Sequence, residues 1–163
     1  EKASCFSSNF LELKFFESPH FANTFSVSRN FIQTTVVKEK IENLRNIKSD
    51  FFLATNSFCF DLKTEKEVLV LWVNPVWRLY KNDIFINSSF ECPVFQDYEN
   101  EIEYEDDFKN WCKKTDYLKT QNILKFQITE LDDIKIFFED ESILETFKYD
   151  EDETWYIQDY ENH

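Results

Sequence analysis

Phe58-Cys59-Phe60-Asp61-Leu62, Lys63-Thr64-Glu65-Lys66-Glu67 and Val68-Leu69-Val70-Leu71-Trp72-Val73 follow one another: an apolar run, a polar link and a second apolar run. Two short runs rich in Phe, Val and Leu around such a link read as an antiparallel β-hairpin. Asn74-Pro75 ends the second strand, because proline has no N–H to give to a ladder. Val76-Trp77-Arg78-Leu79-Tyr80 reads as a further strand, and Lys81-Asn82-Asp83 turns the chain into Ile84-Phe85-Ile86. Asn and Asp accept the left-handed backbone that a turn needs. They have to here, since the chain contains no Gly.

A second block has the same order. Residues 123–128, 134–138, 143–149 and 155–160 read as strands, with a turn at Asp140-Glu141. Each block runs strand, polar turn, strand, short polar link and then Trp-x-(Leu/Ile): Trp77-Arg78-Leu79 in one, Trp155-Tyr156-Ile157 in the other. Either these are two diverged hairpin-plus-strand units, residues 51–90 and 121–160, or they share only the general likeness of β-hairpins.

Outside these blocks, residues 10–16 and 25–37 read as extended. Val37, Ile41, Leu44 and Ile47 fall at helical spacing, which predicts a short amphipathic helix near 37–48. A second helix near 107–119, capped by Asp106 or Asp107, carries Phe108, Trp111, Cys112 and Leu118. The expected fold is α+β: a single domain over residues 1–163, with an antiparallel, largely meandering sheet and both short helices on one face. The two Trp segments should occupy equivalent positions. The expected core is Phe58, Phe60, Leu69, Leu71, Trp77, Trp111, Ile136, Phe138, Leu144 and Trp155.

Charge divides the chain in two. Residues 1–90 hold 10 acidic and 11 basic side chains, a net of +1, whereas 91–163 hold 22 and 7, a net of −15, so the net −14 comes from the second half. Aromatic residues run through that acidic half, so it is no disordered solvating tail. Two acidic patches stand out. Asp97, Glu99, Glu101, Glu103, Glu105 and Asp106 interleave with Tyr98, Ile102 and Tyr104, and Asp150, Glu151, Asp152 and Glu153 form a second run. Such a surface suits a basic partner and repels phosphate, so direct nucleic-acid binding is not expected.

Catalytic signatures are lacking. The absence of Gly rules against a Walker-type loop, a dinucleotide fingerprint or a nucleophile elbow. Only His20 and His163 could serve as an imidazole base, and no His/Cys spacing suggests zinc. Asp150, Asp152, Thr154 and Glu161 have the spacing of a calcium loop, but Trp155 takes the place of the required Gly. No metal or cofactor is therefore expected, and no enzyme. Cys5, Cys59, Cys92 and Cys112 are scattered and read as free buried thiols of a reducing compartment, which points to the cytoplasm, the alternative being two disulfides in a secreted protein. No apolar run is long enough for a membrane span or resembles a signal peptide, and the lack of Met at position 1 reads as a trimmed, processed or incompletely represented start.

In size, acidity and aromatic content the chain is similar to small bacterial immunity proteins that neutralise secreted toxins, and to phage-encoded inhibitors. The likeness is one of class and rests on no motif. It implies a non-catalytic inhibitor that covers a basic toxin effector domain, such as a nuclease. Asp97, Glu99, Glu101, Glu103, Tyr104, Glu105 and Asp106 would be the binding face, and Asp150, Glu151, Asp152 and Glu153 a second one. The alternatives are a nucleic-acid-mimicking inhibitor of phage or host origin, or a small hydrolase.

Overall fold

The computed structural model describes residues 35–148 and 152–158. The extended runs expected at 10–16 and over most of 25–37 lie outside them, as do Asp150, Glu151 and the expected strand residues beyond Gln158. The elements are α1 (Thr35–Glu42), β1 (Arg45–Lys48), β2 (Phe51–Ala54), β3 (Ser57–Lys63), β4 (Val68–Val73), β5 (Trp77–Lys81), β6 (Ile84–Ser88), α2 (Glu101–Asp116), β7 (Asn122–Ile128), β8 (Ile134–Phe138), β9 (Ser142–Thr146) and β10 (Trp155–Gln158). Short 3-10 turns at Ser89–Glu91, Phe95–Asp97 and Tyr117–Thr120 join them. The class is α+β with antiparallel pairing throughout.

The single meandering sheet is corrected to two. One is six-stranded in the order β1-β7-β8-β9-β5-β6, and the other four-stranded in the order β10-β4-β3-β2. Each hairpin hands its Trp strand to the opposite sheet. β3 and β4 pair in the four-stranded sheet, but β5 crosses over and pairs with β9, Trp77 opposite Thr146. β8 and β9 pair in the six-stranded sheet, but β10 crosses back and pairs with β4, Trp155 opposite Val73.

The two crossings are bonded alike. Asn74 N–H donates to the Thr154 carbonyl at 2.8 Å, and Phe147 N–H donates to the Val76 carbonyl at 2.9 Å. Each indole N–H reaches the turn that precedes a hairpin: Trp77 Nε1 donates to Asn56 O at 2.7 Å and Trp155 Nε1 to Asp132 O at 2.6 Å. A buried indole needs such an acceptor.

All ten expected core residues are buried, and the inward faces of the two sheets share one hydrophobic cluster. Phe58 of the four-stranded sheet meets Trp77 of the six-stranded sheet edge-on at 4.8 Å between ring centroids. The absence of Gly is met by placing other residues in left-handed backbone. Asn82 (φ 49°) and Asp83 (φ 61°) form the two-residue loop between β5 and β6, as a type I′ turn requires.

Both helices differ from their expected limits. Thr35–Val37 belong to α1, not to an extended run, because Val37 packs beside Ile41 one turn on. Leu44 and Ile47 do not extend the helix. Asn46 adopts φ 53°, which no α-helix allows, and β1 pairs with β7 through Arg45–Lys125 and Ile47–Ile123. The two helices pack at different places along the six-stranded sheet: α1 lies against β7 and α2 against β6, toward opposite ends of its strand order.

Candidate functional site

The acidic run 97–107 does not precede the second helix; most of it is the helix. The cap is Asn100, whose side chain accepts the Glu103 N–H at 2.9 Å, so Asp106 and Asp107 sit inside α2 and do not cap it. Glu101 and Glu103 occupy the first turn, and Lys113 and Lys114 the last. That order complements the helix macrodipole and contributes about 0.3–1 kcal/mol for each well-placed charge.

Tyr104, Phe108, Trp111 and Thr115, at i, i+4, i+7 and i+11, form the stripe that turns inward. Trp111 fixes α2 to the sheet edge by two reciprocal bonds. Its indole N–H donates to Ser88 O at 3.0 Å, and the amide of fully buried Asn87 donates to Trp111 O at 3.1 Å. Lys114 adds an ion pair to Glu91 at 2.9 Å.

A chain of ring contacts runs from this surface to the core. Phe95 meets Tyr104 at 5.3 Å, Tyr104 meets Phe108 at 5.9 Å, Phe108 meets Trp111 at 5.6 Å, and Trp111 meets Trp77 at 5.8 Å. Tyr98 joins it at 5.7 Å from Tyr104. Tyr104 is thus a half-buried link between the acidic segment and the core rather than part of the outward face. Burial pushes its phenol above the ordinary value.

The opposite stripe, Ile102, Asp106, Lys109 and Lys113, faces solvent. Ile102 is 74% exposed. The segment leading into α2 adds exposed Phe90 (79%), Val94 (53%) and Phe95 (53%). Among the described residues, the carboxylates of Asp97, Glu99, Glu101 and Glu103 meet no cation, while Glu105 and Asp106 share Lys109 at 3.2 and 3.9 Å. Asp107 accepts the Tyr98 hydroxyl at 2.9 Å, and that bond holds the phenol above its usual value.

The second expected patch is only partly described. Asp152 and Glu153 are exposed beside the start of β10, and no large exposed apolar residue of the described chain adjoins them in sequence. The exposed Phe90, Val94 and Phe95 escaped the sequence reading because nothing in their spacing marks them. The short link around Pro93 gives neither a strand nor a helix period.

Burial pushes the thiols of Cys59 and Cys92 up to about 11 and raises Cys112 as well, so these three free cysteines stay protonated and weakly nucleophilic at neutral pH. Among the described residues no three His, Cys, Asp or Glu side chains converge as a metal site. No helix of the described chain is long and apolar enough to cross a membrane. Comparison with protein-family models, with curated proteins and with solved structures gave no match.

Proposed function

We propose that this chain is a non-catalytic, cytoplasmic inhibitor of the immunity type, which neutralises a basic toxin effector domain such as a nuclease by covering it with the N-terminal half of α2. One observation carries the reading: carboxylates that no described cation pairs lie beside exposed large apolar residues on one continuous segment. Asp97, Glu99, Glu101 and Glu103 supply charge, while Phe95 and Ile102 supply apolar anchors. A charged rim around desolvating apolar anchors is the usual anatomy of a specific interface. The macrodipole accounts for acids at this end of the helix; it does not account for the run of exposed Phe90, Val94, Phe95 and Ile102 along the same segment. Glu105 and Asp106 contribute less, because Lys109 already screens them.

The test is to capture the partner from the native organism and compare its affinity for the unaltered chain, for Glu101→Lys/Glu103→Lys and for Ile102→Asp. Both variants should bind at least about tenfold more weakly, in line with interface charges and anchors of roughly 1–2 kcal/mol each. A captured partner that is acidic, or whose affinity ignores both variants, contradicts the proposal.

A further inference from the structure

A cavity of about 510 Å³ opens along β5 and β6, walled by Trp77, Phe85, Phe90 and Phe147, with Arg78 and Ser88 as its polar lining. That volume is typical of a small-molecule site. Among the described residues, Arg78 is the one charged residue of its lining. The guanidinium is held by two neighbours: it stacks 4.3 Å above the Phe147 ring and donates one N–H to Glu145 at 3.2 Å.

Glu145 is anchored in turn. Its side chain is only 10% exposed, its other oxygen binds Lys135 Nζ at 2.6 Å, and the Tyr80 hydroxyl donates to it at 3.1 Å. Two cations share one carboxylate, so the cluster keeps one net positive charge in a protein of net −14. Of the five guanidinium N–H groups, one is used by the described residues. Asp83 lines a smaller depression that shares Arg78 and Phe85 with this cavity.

We propose that this cavity binds a small amphipathic monoanion: an apolar chain or ring that fills the aromatic walls, with a single carboxylate or sulfonate head on Arg78. Charge complementarity selects this occupant. Among the described lining residues the only charge is positive, which disfavours a cation, and a neutral apolar molecule makes no use of the guanidinium, whereas a carboxylate there makes a charge-assisted, bidentate pair. Phe147 and Glu145 fix the guanidinium before the ligand arrives, which lowers the ordering cost of binding.

The test is calorimetric titration of the full chain with decanoate and, separately, with decanol. Decanoate should saturate one site and bind at least about tenfold more tightly than decanol. Arg78→Gln should remove that preference and leave decanol binding unchanged. Because Arg78→Gln also strips Glu145 of a partner, Phe85→Glu serves as a second variant. It places a carboxylate on a half-exposed wall, outside the core, and should weaken decanoate by a similar factor. No saturable decanoate binding, equal affinity for decanoate and decanol, or undiminished decanoate binding by a folded Phe85→Glu variant would each overturn the proposal.

Discussion

The β2-β3-β4 hairpin unit and the β7-β8-β9 unit share a bonding scheme, and they differ wherever that scheme leaves a side chain free. On the inward faces the two match in kind: Trp77 and Trp155 start the exchanged strands, and both indoles bond a turn carbonyl. On the outward faces they diverge. The cross-strand row Lys135-Glu145-Arg78 in the six-stranded sheet corresponds to Cys59-Trp72-Tyr156 in the four-stranded sheet. Ion pairs occupy the first row, whereas in the second Trp72 and Tyr156 stack at 6.0 Å. The units also differ beyond their Trp strands. After β5 the chain adds β6 and α2, where exposed acids and apolar residues accumulate, whereas β10 is the last element of the described chain. The shared part is scaffold, and the surfaces proposed for binding lie mostly outside it, Trp77 being the shared residue that also walls the cavity.

Removing the shared indoles should have the largest effect. Trp77→Ala and Trp155→Ala each delete a fully buried side chain, with an expected loss of about 3–5 kcal/mol in urea unfolding. Trp77→Ala should in addition loosen α2, because Trp111 loses its ring partner in the core. Amide-exchange protection of α2 that is unchanged in Trp77→Ala would mean that the helix draws little stability from Trp77.

The outward rows should respond differently to pH. Burial would raise the Glu145 carboxyl, but the bonds from Lys135, Arg78 and Tyr80 outweigh it and hold the group below its ordinary value of 4.5. Its contribution is therefore complete above about pH 4.5 and is lost as pH falls through the folded-state value. Glu145→Gln should cost about 1–2 kcal/mol at pH 7, discounted for the partial exposure of its partners, and the cost should shrink below about pH 4. Trp72→Ala should show no such change over the same range. A Glu145→Gln cost that stays constant down to about pH 3 would rule out this linkage.

The ten core residues were legible in the sequence because alternation and aromatic runs set burial directly. What failed were features decided elsewhere. Ile47 kept helical spacing, yet one left-handed residue, Asn46, ended that pattern and let β7 take the strand. The start of α2 lies earlier than expected because a dense acid run resembles solvated loop, and Asn100, as good a cap as aspartate, stands at its head with Glu103 three residues on. The exchange of Trp strands was hidden because the partner of each lies in the other unit. At the acidic site, the charge was legible residue by residue. The inward turn of Tyr104 and the exposure of Phe90 and Ile102 were not, since both depend on how α2 sits on β6.

A smaller difference lies in the turns before each hairpin. Thr55 (φ 54°) and Asp132 (φ 66°) are both left-handed, a conformation that costs a β-branched residue about 1–2 kcal/mol and an Asp less. Thr55→Gly should gain roughly 0.5 kcal/mol after the entropy cost of glycine. Asp132→Gly should gain nothing, because it also gives up the ion pair to Lys38. A gain at Asp132 equal to that at Thr55 would show that backbone strain outweighs the ion pair.

The most direct measurement is the association rate of the captured partner across a salt series, for the unaltered chain, for Glu101→Lys/Glu103→Lys and for Asp152→Lys/Glu153→Lys. Steering by the α2 face should make association fast at about 0.1 M salt, where the Debye length is about 10 Å, and slower toward 1 M, where it is about 3 Å. Reversal at Glu101 and Glu103 should slow association about tenfold at low salt and flatten the dependence, while reversal at Asp152 and Glu153 should change it less. A rate indifferent to salt and to reversal on α2, or one governed by Asp152 and Glu153 instead, would contradict the assignment of the binding face to α2.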